Sequence, residues 1–241
     1  MNALVLDSLV AGRSAFRVGP FGLTCAPGRR VALVGPNGSG KTTLLATLAG
    51  LIPPLGGRLE WPGRSRPALL PAPGAIEVGF AAEHVVALGR AARSRWSPTL
   101  RRSDRVAALA ALDRLGIRQL AERPFDRLSS GQRQLVLLAR LFVQEAPVCL
   151  LDEPTAMLDP AQTAKVEAAI GALSREGRIV VFATHSLAAA ASADIVVTVG
   201  DPIAIGPPGE VLTEERLSSL YGTALNACPA CGQSAAATTA A

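Results

Sequence analysis

The stretch 31-VALVGPNGSGKTTLLATLAG-50 decides how the rest of the sequence is interpreted. Residues 35–42, GPNGSGKT, fit the pattern G-x-x-x-x-G-K-[ST], with an apolar strand-like run before them and a helix-like run after them. Glycines let such a loop curl so that successive backbone N–H groups converge on phosphate oxygens. The helix that follows adds its positive N-terminal end. The stretch therefore predicts a nucleotide-phosphate site.

Lys41 is one of only two lysines among the 24 Lys+Arg residues of the chain. Arginine is the basic residue nearly everywhere else, so a lysine here needs a reason. A compact ammonium on a flexible stem fits between the β- and γ-phosphates, whereas a planar guanidinium would not fit inside the wrapped loop. In the same loop the Thr42 hydroxyl is a candidate ligand for Mg²⁺, and Thr43 could add a phosphate contact.

Acidic residues and a histidine follow two further apolar runs. In VCLLDEPTAMLD, residues 148–159, Asp152 ends a predicted strand and could hold Mg²⁺, while Glu153 could polarise the attacking water. His185 ends the run RIVVFATH and would lie at the same sheet edge, within reach of a γ-phosphate. Each feature alone is ordinary at a strand end. Beside a phosphate loop, they favour a catalytic site.

The composition is that of a globular protein, with 49% hydrophobic and 18% charged residues. The net charge of +5 comes from scattered arginines, which favours an anionic partner such as phosphates or a membrane surface. Basic residues do not alternate with aromatics in a stripe, which argues against nucleic acid as a partner. The start, MNALVLDSLV, does not read as a signal peptide, and no uninterrupted apolar run of about 18 residues predicts a membrane span.

The chain contains four cysteines. Cys149 lies inside an apolar run, which predicts a small buried thiol. Cys228 and Cys231 form a C-x-x-C near the end of the chain. A structural zinc site usually needs four ligands and no second pair lies nearby, so a loose, reduced tail is favoured over a metal site.

Strand-like and helix-like segments alternate along most of the chain, which predicts an α/β fold with a mainly parallel sheet. The predicted strands are 3–10, 30–35, 148–152, 178–185 and 193–200. The predicted helices are 41–50, 83–92, 103–115, 130–144, 161–175 and 213–220. Between residues 83 and 145 the helices run consecutively, which predicts a helical subdomain inserted into the α/β core.

The sequence DRLSSGQRQLVLLAR, residues 126–140, places Ser, Gly and Gln at the start of a long predicted helix, where backbone N–H groups face an anion. This helix belongs to a different subdomain from the phosphate loop, so one nucleotide cannot easily touch both within one subunit. The arrangement resembles the ATP-binding-cassette (ABC) family, whose signature motif is LSGGQ. In that family two subunits meet head to tail, and the signature of one covers the nucleotide of the other.

Carried over onto this sequence, the resemblance implies a role for each motif. The residues implied to bind the ATP phosphates are Gly35, Pro36, Asn37, Gly38, Ser39, Gly40, Lys41, Thr42 and Thr43. The residues implied to act in trans are Ser129, Gly131 and Gln132 of the signature, with Asp159 in the loop that couples the two sites. Thr42 and Asp152 are implied to hold Mg²⁺, and Glu153, His185 and Lys41 to be catalytic, with Glu153 as the base.

The resemblance also implies a domain organisation. It predicts an α/β, P-loop NTPase (RecA-like) core with a mainly parallel sheet, a small N-terminal antiparallel β-subdomain and an inserted helical subdomain. Residues 1–222 would form the ABC ATPase domain, with the core at 1–82 and 146–222 and the helical subdomain at 83–145. Residues 223–241, small and polar, are predicted to be a disordered tail.

Several stretches resemble a narrower group, the ATPase subunits of iron–siderophore, haem and cobalamin importers. They are EHVVALGR, LAERPFDRLSSGQRQ and PPGEVLTEERLSSLYG. The resemblance implies an ATPase on the cytoplasmic side of the cell membrane, working with a second copy of itself, a separate transmembrane permease and an extracytoplasmic solute-binding protein. Two alternatives remain: a soluble ABC ATPase of DNA repair or translation, and a nucleotide-gated regulatory cassette that hardly hydrolyses.

The sequence departs from the family pattern at four places. Ala72 stands where members place a metal-touching glutamine, and alanine has no acceptor for a metal. The segment before it is short, which predicts a trimmed β-subdomain. The usual adenine-stacking tyrosine is missing, so Phe16 is the candidate. Ser130 replaces a signature glycine.

Overall fold

A computed structural model describes residues 3–13, 16–74, 78–91 and 101–222. Its strands are β1 (Leu4–Arg13), β2 (Phe16–Cys25), β3 (Arg30–Val34), β4 (Gly56–Glu60), β5 (Ala68–Leu70), β6 (Val148–Asp152), β7 (Ile179–Ala183), β8 (Ile195–Thr198) and β9 (Ile205–Gly206). Its helices are α1 (Lys41–Leu48), α2 (Ala82–Ala91), α3 (Arg102–Arg114), α4 (Ser130–Gln144), α5 (Pro160–Arg175), α6 (Leu187–Ala191), α7 (Pro208–Val211) and α8 (Glu214–Tyr221).

The central sheet has the strand order β5-β6-β7-β3-β8-β9, and all its pairs are parallel except β8 with β9. Every residue of β6 and of β7 is buried, because helices cover both faces of a parallel sheet. This explains why these strands are continuous apolar runs in the sequence. The register sets Leu33 beside Ala183 and Asp152 beside Ala183, so the carboxyl ends of β3, β7 and β6 meet at one edge.

A smaller antiparallel sheet has the order β2-β1-β4. Its inner face packs on α1 through a second apolar cluster that includes Leu9, Phe21 and Leu45. Trp61, just after β4, donates its indole N–H to the carbonyl of Leu48 at 2.8 Å, which satisfies a free acceptor at the end of α1. The α/β fold with an antiparallel β-subdomain and a mainly parallel core sheet is confirmed.

Helices α2, α3 and α4 follow one another between β5 and β6 as a helical unit, and their buried residues share one apolar cluster with the central sheet. Gly89 lets α2 approach α4 closely, since a Cβ there would lie 2.7 Å from the Arg140 carbonyl oxygen. The buried carboxylate of Glu83 on α2 pairs with Arg105 of α3 at 3.0 Å. The bounds 83–145 for this unit stay a prediction, as do those of the other units.

The structure tests only some of the predictions about the cysteines and about membrane spans. Cys25 and Cys149 are buried, and burial raises the pKa of each thiol to about 11. Cys228, Cys231 and the predicted tail lie outside the described residues. In the described ranges, no helix has both the length and the apolar character needed to cross a bilayer.

Candidate functional site

The phosphate-binding loop joins the end of β3 to the start of α1. Gly38 and Gly40 hold φ of 78° and 101°, a region open to glycine, and Gly40 is the residue that caps α1. A Cβ on Gly40 would lie 2.6 Å from both the Phe16 ring and the Val18 side chain. Strand β2 therefore packs so closely against the loop that no side chain fits at position 40.

Lys41 is the first residue of α1 and is only 5% exposed. Its Nζ donates to the carbonyl oxygens of Gly35 at 2.8 Å and Pro36 at 3.0 Å. Burial lowers the pKa of the ammonium, while the nearby Glu153 and Asp152 carboxylates oppose that effect. An ammonium has three N–H donors, so two hold the loop in its curl and the third remains for a phosphate oxygen.

The loop carries a second polar group suited to a phosphate. The Ser39 hydroxyl is buried and, among the residues that the structure describes, has no hydrogen-bond partner. A buried hydroxyl without a partner is available to bond a ligand oxygen. Together with the third N–H of Lys41 and the positive end of α1, it makes the loop fit a polyphosphate.

Thr42 and Asp152 offer the hard oxygen ligands that Mg²⁺ prefers. The Thr42 hydroxyl lies near the Asp152 carboxylate, across the gap between the loop and the end of β6. Burial raises the pKa of Asp152, and the neighbouring negative charge of Glu153 raises it further, against the lowering effects of Thr42, Lys41 and His185. The positive charge near Asp152 does not offset the burial of its carboxylate, and a bound cation would supply more.

Glu153 points away from Asp152 because the backbone turns between them. Glu153 has a left-handed φ of 48°, and its N–H donates to the Ala183 carbonyl at 3.2 Å. Its carboxylate Oε1 lies 2.6 Å from Nε2 of His185, in hydrogen-bond contact. The two consecutive carboxylates thus have different partners, one facing Thr42 and the other His185.

An open cavity of about 320 Å³ lies over the loop, and Asp152 and His185 are outside its lining. Its lining residues are Phe16, Asn37, Gly38, Gly40, Lys41, Thr42, Thr43 and Glu153. The structure therefore brings together the predicted phosphate loop, the predicted base and Phe16, which is the candidate for contact with the base of a nucleotide.

The residues predicted to act in trans do not line this cavity. Ser129 caps α4: its hydroxyl accepts from the Gln132 N–H at 3.3 Å, and the Gln132 side chain accepts from the Ser129 N–H at 3.1 Å. Asp159 caps α5 by a single bond, its carboxylate accepting from the Gln162 N–H at 2.8 Å. Both motifs are helix N-termini outside the loop's own pocket.

Two residues near the predicted site gave no signal in the sequence. Tyr221, the single tyrosine of the chain, ends α8 near the backbone of Gly35, and burial raises its pKa. Gln162 of α5 lies against Gly131 of the signature. Both contacts join segments far apart along the chain, and no local sequence pattern predicts them.

Comparison with known proteins places this site in a family. A family model described as ABC transporter matches residues 18–156. The hemin import ATP-binding protein HmuV of Streptomyces coelicolor is 40% identical over 217 residues, 84% of this chain and 76% of that protein. The manganese transport system ATP-binding protein MntB of Bacillus subtilis is 33% identical over 81% of this chain and 82% of its own length.

A solved structure agrees with the sequence comparison. A metal-chelate type ABC transporter in an inward-facing conformation superposes with a TM-score of 0.83 at 30% identity, over 90% of this chain and 88% of that chain. The chain belongs to the ABC transporter family and is one of its ATP-binding subunits. The predictions of the family and of an ABC ATPase are confirmed.

Proposed function

We propose that the chain hydrolyses ATP to power import of an iron–siderophore, haem, cobalamin or related metal chelate through a separate membrane permease. The local stretches quoted above support this substrate class, and so do the hemin-import name of the Streptomyces relative and the metal-chelate description of the structural neighbour. The Bacillus relative is named for manganese transport, which makes metal-ion import the next candidate.

One observation carries the mechanism: the phosphate-loop cavity is open and lacks the signature residues of its own chain. A second copy, arranged head to tail, would bring Ser129, Gly131 and Gln132 to this opening, with Asp159 beside them. Two ATP molecules would then lie in the shared interface. Moving such a pair from mostly open to mostly closed takes roughly 5.5 kcal/mol of differential binding, which the γ-phosphate bridging Lys41 and the partner copy's signature helix would supply.

The side chains in and beside the cavity have separate tasks in hydrolysis. Lys41 binds the β- and γ-phosphates, and Glu153 accepts the proton of the attacking water. His185, whose Nε2 lies 2.6 Å from the Glu153 carboxylate, would orient that base and contact the γ-phosphate. Thr42 and Asp152 would hold Mg²⁺, which when bound supplies positive charge against the phosphate oxygens.

The assembly that follows has three kinds of partner. A transmembrane permease would convert opening and closing of the dimer into alternating access, with this chain peripheral on the cytoplasmic side. A solute-binding protein would deliver the chelate outside the membrane. Nucleic acid is not among the proposed partners.

Membrane isolation followed by uptake tests this proposal. The tagged chain is purified in detergent from membranes of its source cells, and we expect a polytopic permease in stoichiometric amount. The complex is then placed in ATP-loaded vesicles and offered haem, a ferric siderophore, cobalamin, Mn²⁺ or thiamine. ATP-dependent uptake of a metal chelate supports the proposal. Stimulation of ATPase by DNA or ribosomes, with no permease present, would favour the soluble alternative.

Asp152→Asn should make the nucleotide-free chain more stable while removing its response to Mg²⁺. Burial raises the folded-state pKa of Asp152, so at pH 7 the ionised carboxylate destabilises the fold relative to the unfolded chain. We expect thermal unfolding of Asp152→Asn to occur a few degrees higher without nucleotide, and Mg²⁺ to add nothing to stabilisation by ATP. The gain should shrink as the pH falls and the wild-type carboxyl takes up its proton.

The exposed Asp113 on α3 provides a matched control. Asp113→Asn should leave both the unfolding temperature and the magnesium response near wild type. If Asp152→Asn unfolds at a lower temperature and still gains stability from Mg-ATP, the assignment of Asp152 to the metal is wrong.

A further inference from the structure

Gln162 links two elements that the proposed dimer interface uses. It is the third residue of α5, and its backbone N–H donates to the Asp159 carboxylate at 2.8 Å. Its side chain reaches across to the start of α4. A Cβ built on Gly131 would overlap the carboxamide carbon and oxygen and lie 2.7 Å from the nitrogen. The Gln162 carboxamide thus rests directly on the signature glycine.

The contact is one of packing, and the hydrogen-bonding capacity of the carboxamide is unused. Within the described ranges, neither the oxygen nor the nitrogen of the Gln162 side chain has a hydrogen-bond partner. The group is half-buried, between the N-termini of α4 and α5. A neutral amide with two donors and one acceptor suits such a place, because it can face an anion or water without a charge of its own.

The two helices share one apolar cluster but begin at different places in the fold. Helix α4 packs with α2 and α3, whereas α5 follows the β6 loop that carries Glu153. Gln162 is therefore a point at which the tip of α4 is held against the Asp159 turn. Gly131 is buried, although it lies in the first turn of its helix, and Gln162 contributes to that burial.

We propose that Gln162 is a positioning residue for the half-site that this chain offers to its partner's nucleotide. By seating on Gly131, it fixes the distance between the signature tip and the Asp159 turn, so that Ser129, Gly131 and Asp159 reach the second copy as one surface. This inference rests on the proposed head-to-tail dimer. It adds Gln162 to that surface and gives Gly131 a steric role within its own chain.

Gln162→Glu separates positioning from a merely structural role. Glutamate is favoured at the third helical position after a capping Asp, and negative charge is favoured near helix N-termini. A structural role therefore predicts a variant at least as stable as wild type and fully active. If Gln162 positions the surface that this chain offers to the partner copy, the variant should keep its stability but close the dimer less well, because the new carboxylate would lie on a surface that receives ATP phosphates.

The experiment uses the full chain with the variants Gln162→Glu, Gln162→Ala, Gly131→Ala and the double variant Gly131→Ala/Gln162→Ala. Thermal unfolding, binding of a fluorescent ATP analogue to dilute protein, and ATPase rate against ATP concentration are measured for each. Lys165→Ala, exposed on the same helix, is the control.

We expect Gln162→Glu to keep its unfolding temperature and its affinity for the analogue while its kcat falls about tenfold, because the new carboxylate would repel the phosphates of the partner copy's ATP. The kcat of Gln162→Ala should fall less than that of Gln162→Glu. Gly131→Ala should lower kcat, because its methyl group displaces the Gln162 carboxamide, and the double variant should regain part of that loss.

Wild-type kcat in Gln162→Glu, or a double variant as inactive as Gly131→Ala, overturns the inference and leaves the proposed function standing. A wild-type chain with no ATP-dependent dimer and no hydrolysis overturns both. If Gln162→Glu loses stability, the kcat of Gln162→Ala is the deciding measurement. An unchanged kcat in Gln162→Ala would contradict a positioning role for Gln162.

Discussion

Lys41→Ala should abolish binding of ATP and reduce ATPase activity by at least about a hundredfold, since a charge-assisted contact to phosphate is lost in a site built around it. In the chain the ammonium holds the Gly35 and Pro36 carbonyls and keeps one N–H for the ligand. Without it the loop loses both the internal bonds that keep it curled and the positive charge at its centre. Binding of a fluorescent ATP analogue and release of phosphate measure the two effects.

The chain contains its own control for this experiment, because its other lysine, Lys165, is exposed on α5. Lys165→Ala removes the same charge from the same protein and should bind and hydrolyse ATP as wild type does. The fold of Lys41→Ala should persist, since burial already disfavours the charged amine there. Near-normal affinity in Lys41→Ala with an intact circular dichroism spectrum would refute the phosphate-site assignment.

The sequence contained enough information to predict most of the nucleotide site, because its parts are local. A glycine loop between an apolar strand and a helix is visible within 20 residues, and Asp152 and His185 each follow a buried run. Their meeting follows from topology: β6, β7 and β3 are neighbours in the sheet, so their carboxyl ends share one edge. Parallel pairing is common enough in α/β chains that this step needs no contact information.

The antiparallel strands were harder to predict, and the reason is chemical. Strand β2, FRVGPFGLTC, contains two glycines and a proline, and β4, GGRLE, has no buried residue. Neither shows the buried alternation or continuous apolar run that identifies a strand from composition. Both form because β1 offers its two edges to them. Only the family resemblance predicted this sheet.

Contacts between distant segments were out of reach for the same reason. Tyr221 meets Gly35, and Gln162 meets Gly131, across long stretches of sequence. A tyrosine at a helix end and a glutamine in a first helical turn are ordinary residues in ordinary places. Their importance depends on where α8 and α5 pack, which the local pattern does not encode.

Glu153→Gln should lower the rate of ATP hydrolysis by a factor of about a hundred or more while leaving binding of ATP intact. Glutamine is nearly isosteric and can still bond Nε2 of His185, so the pocket geometry should persist while the proton acceptor is lost. With hydrolysis blocked, the γ-phosphate stays in place and ATP should hold two copies together. Light scattering with and without Mg-ATP measures that dimer, and Glu167→Gln, an exposed change on α5, should hydrolyse normally.

The same variant decides between the proposed enzyme and the regulatory alternative. Ala72, just after β5, provides no metal acceptor where the family uses glutamine, so a slow wild-type rate has a physical basis. A wild-type chain that binds ATP and dimerises, but whose negligible ATPase rate is the same with Glu153→Gln, would be a nucleotide-gated cassette. A clear wild-type rate that Glu153→Gln abolishes would show that the chain hydrolyses despite Ala72, because the Glu153–His185 pair and Asp152 suffice for the chemistry.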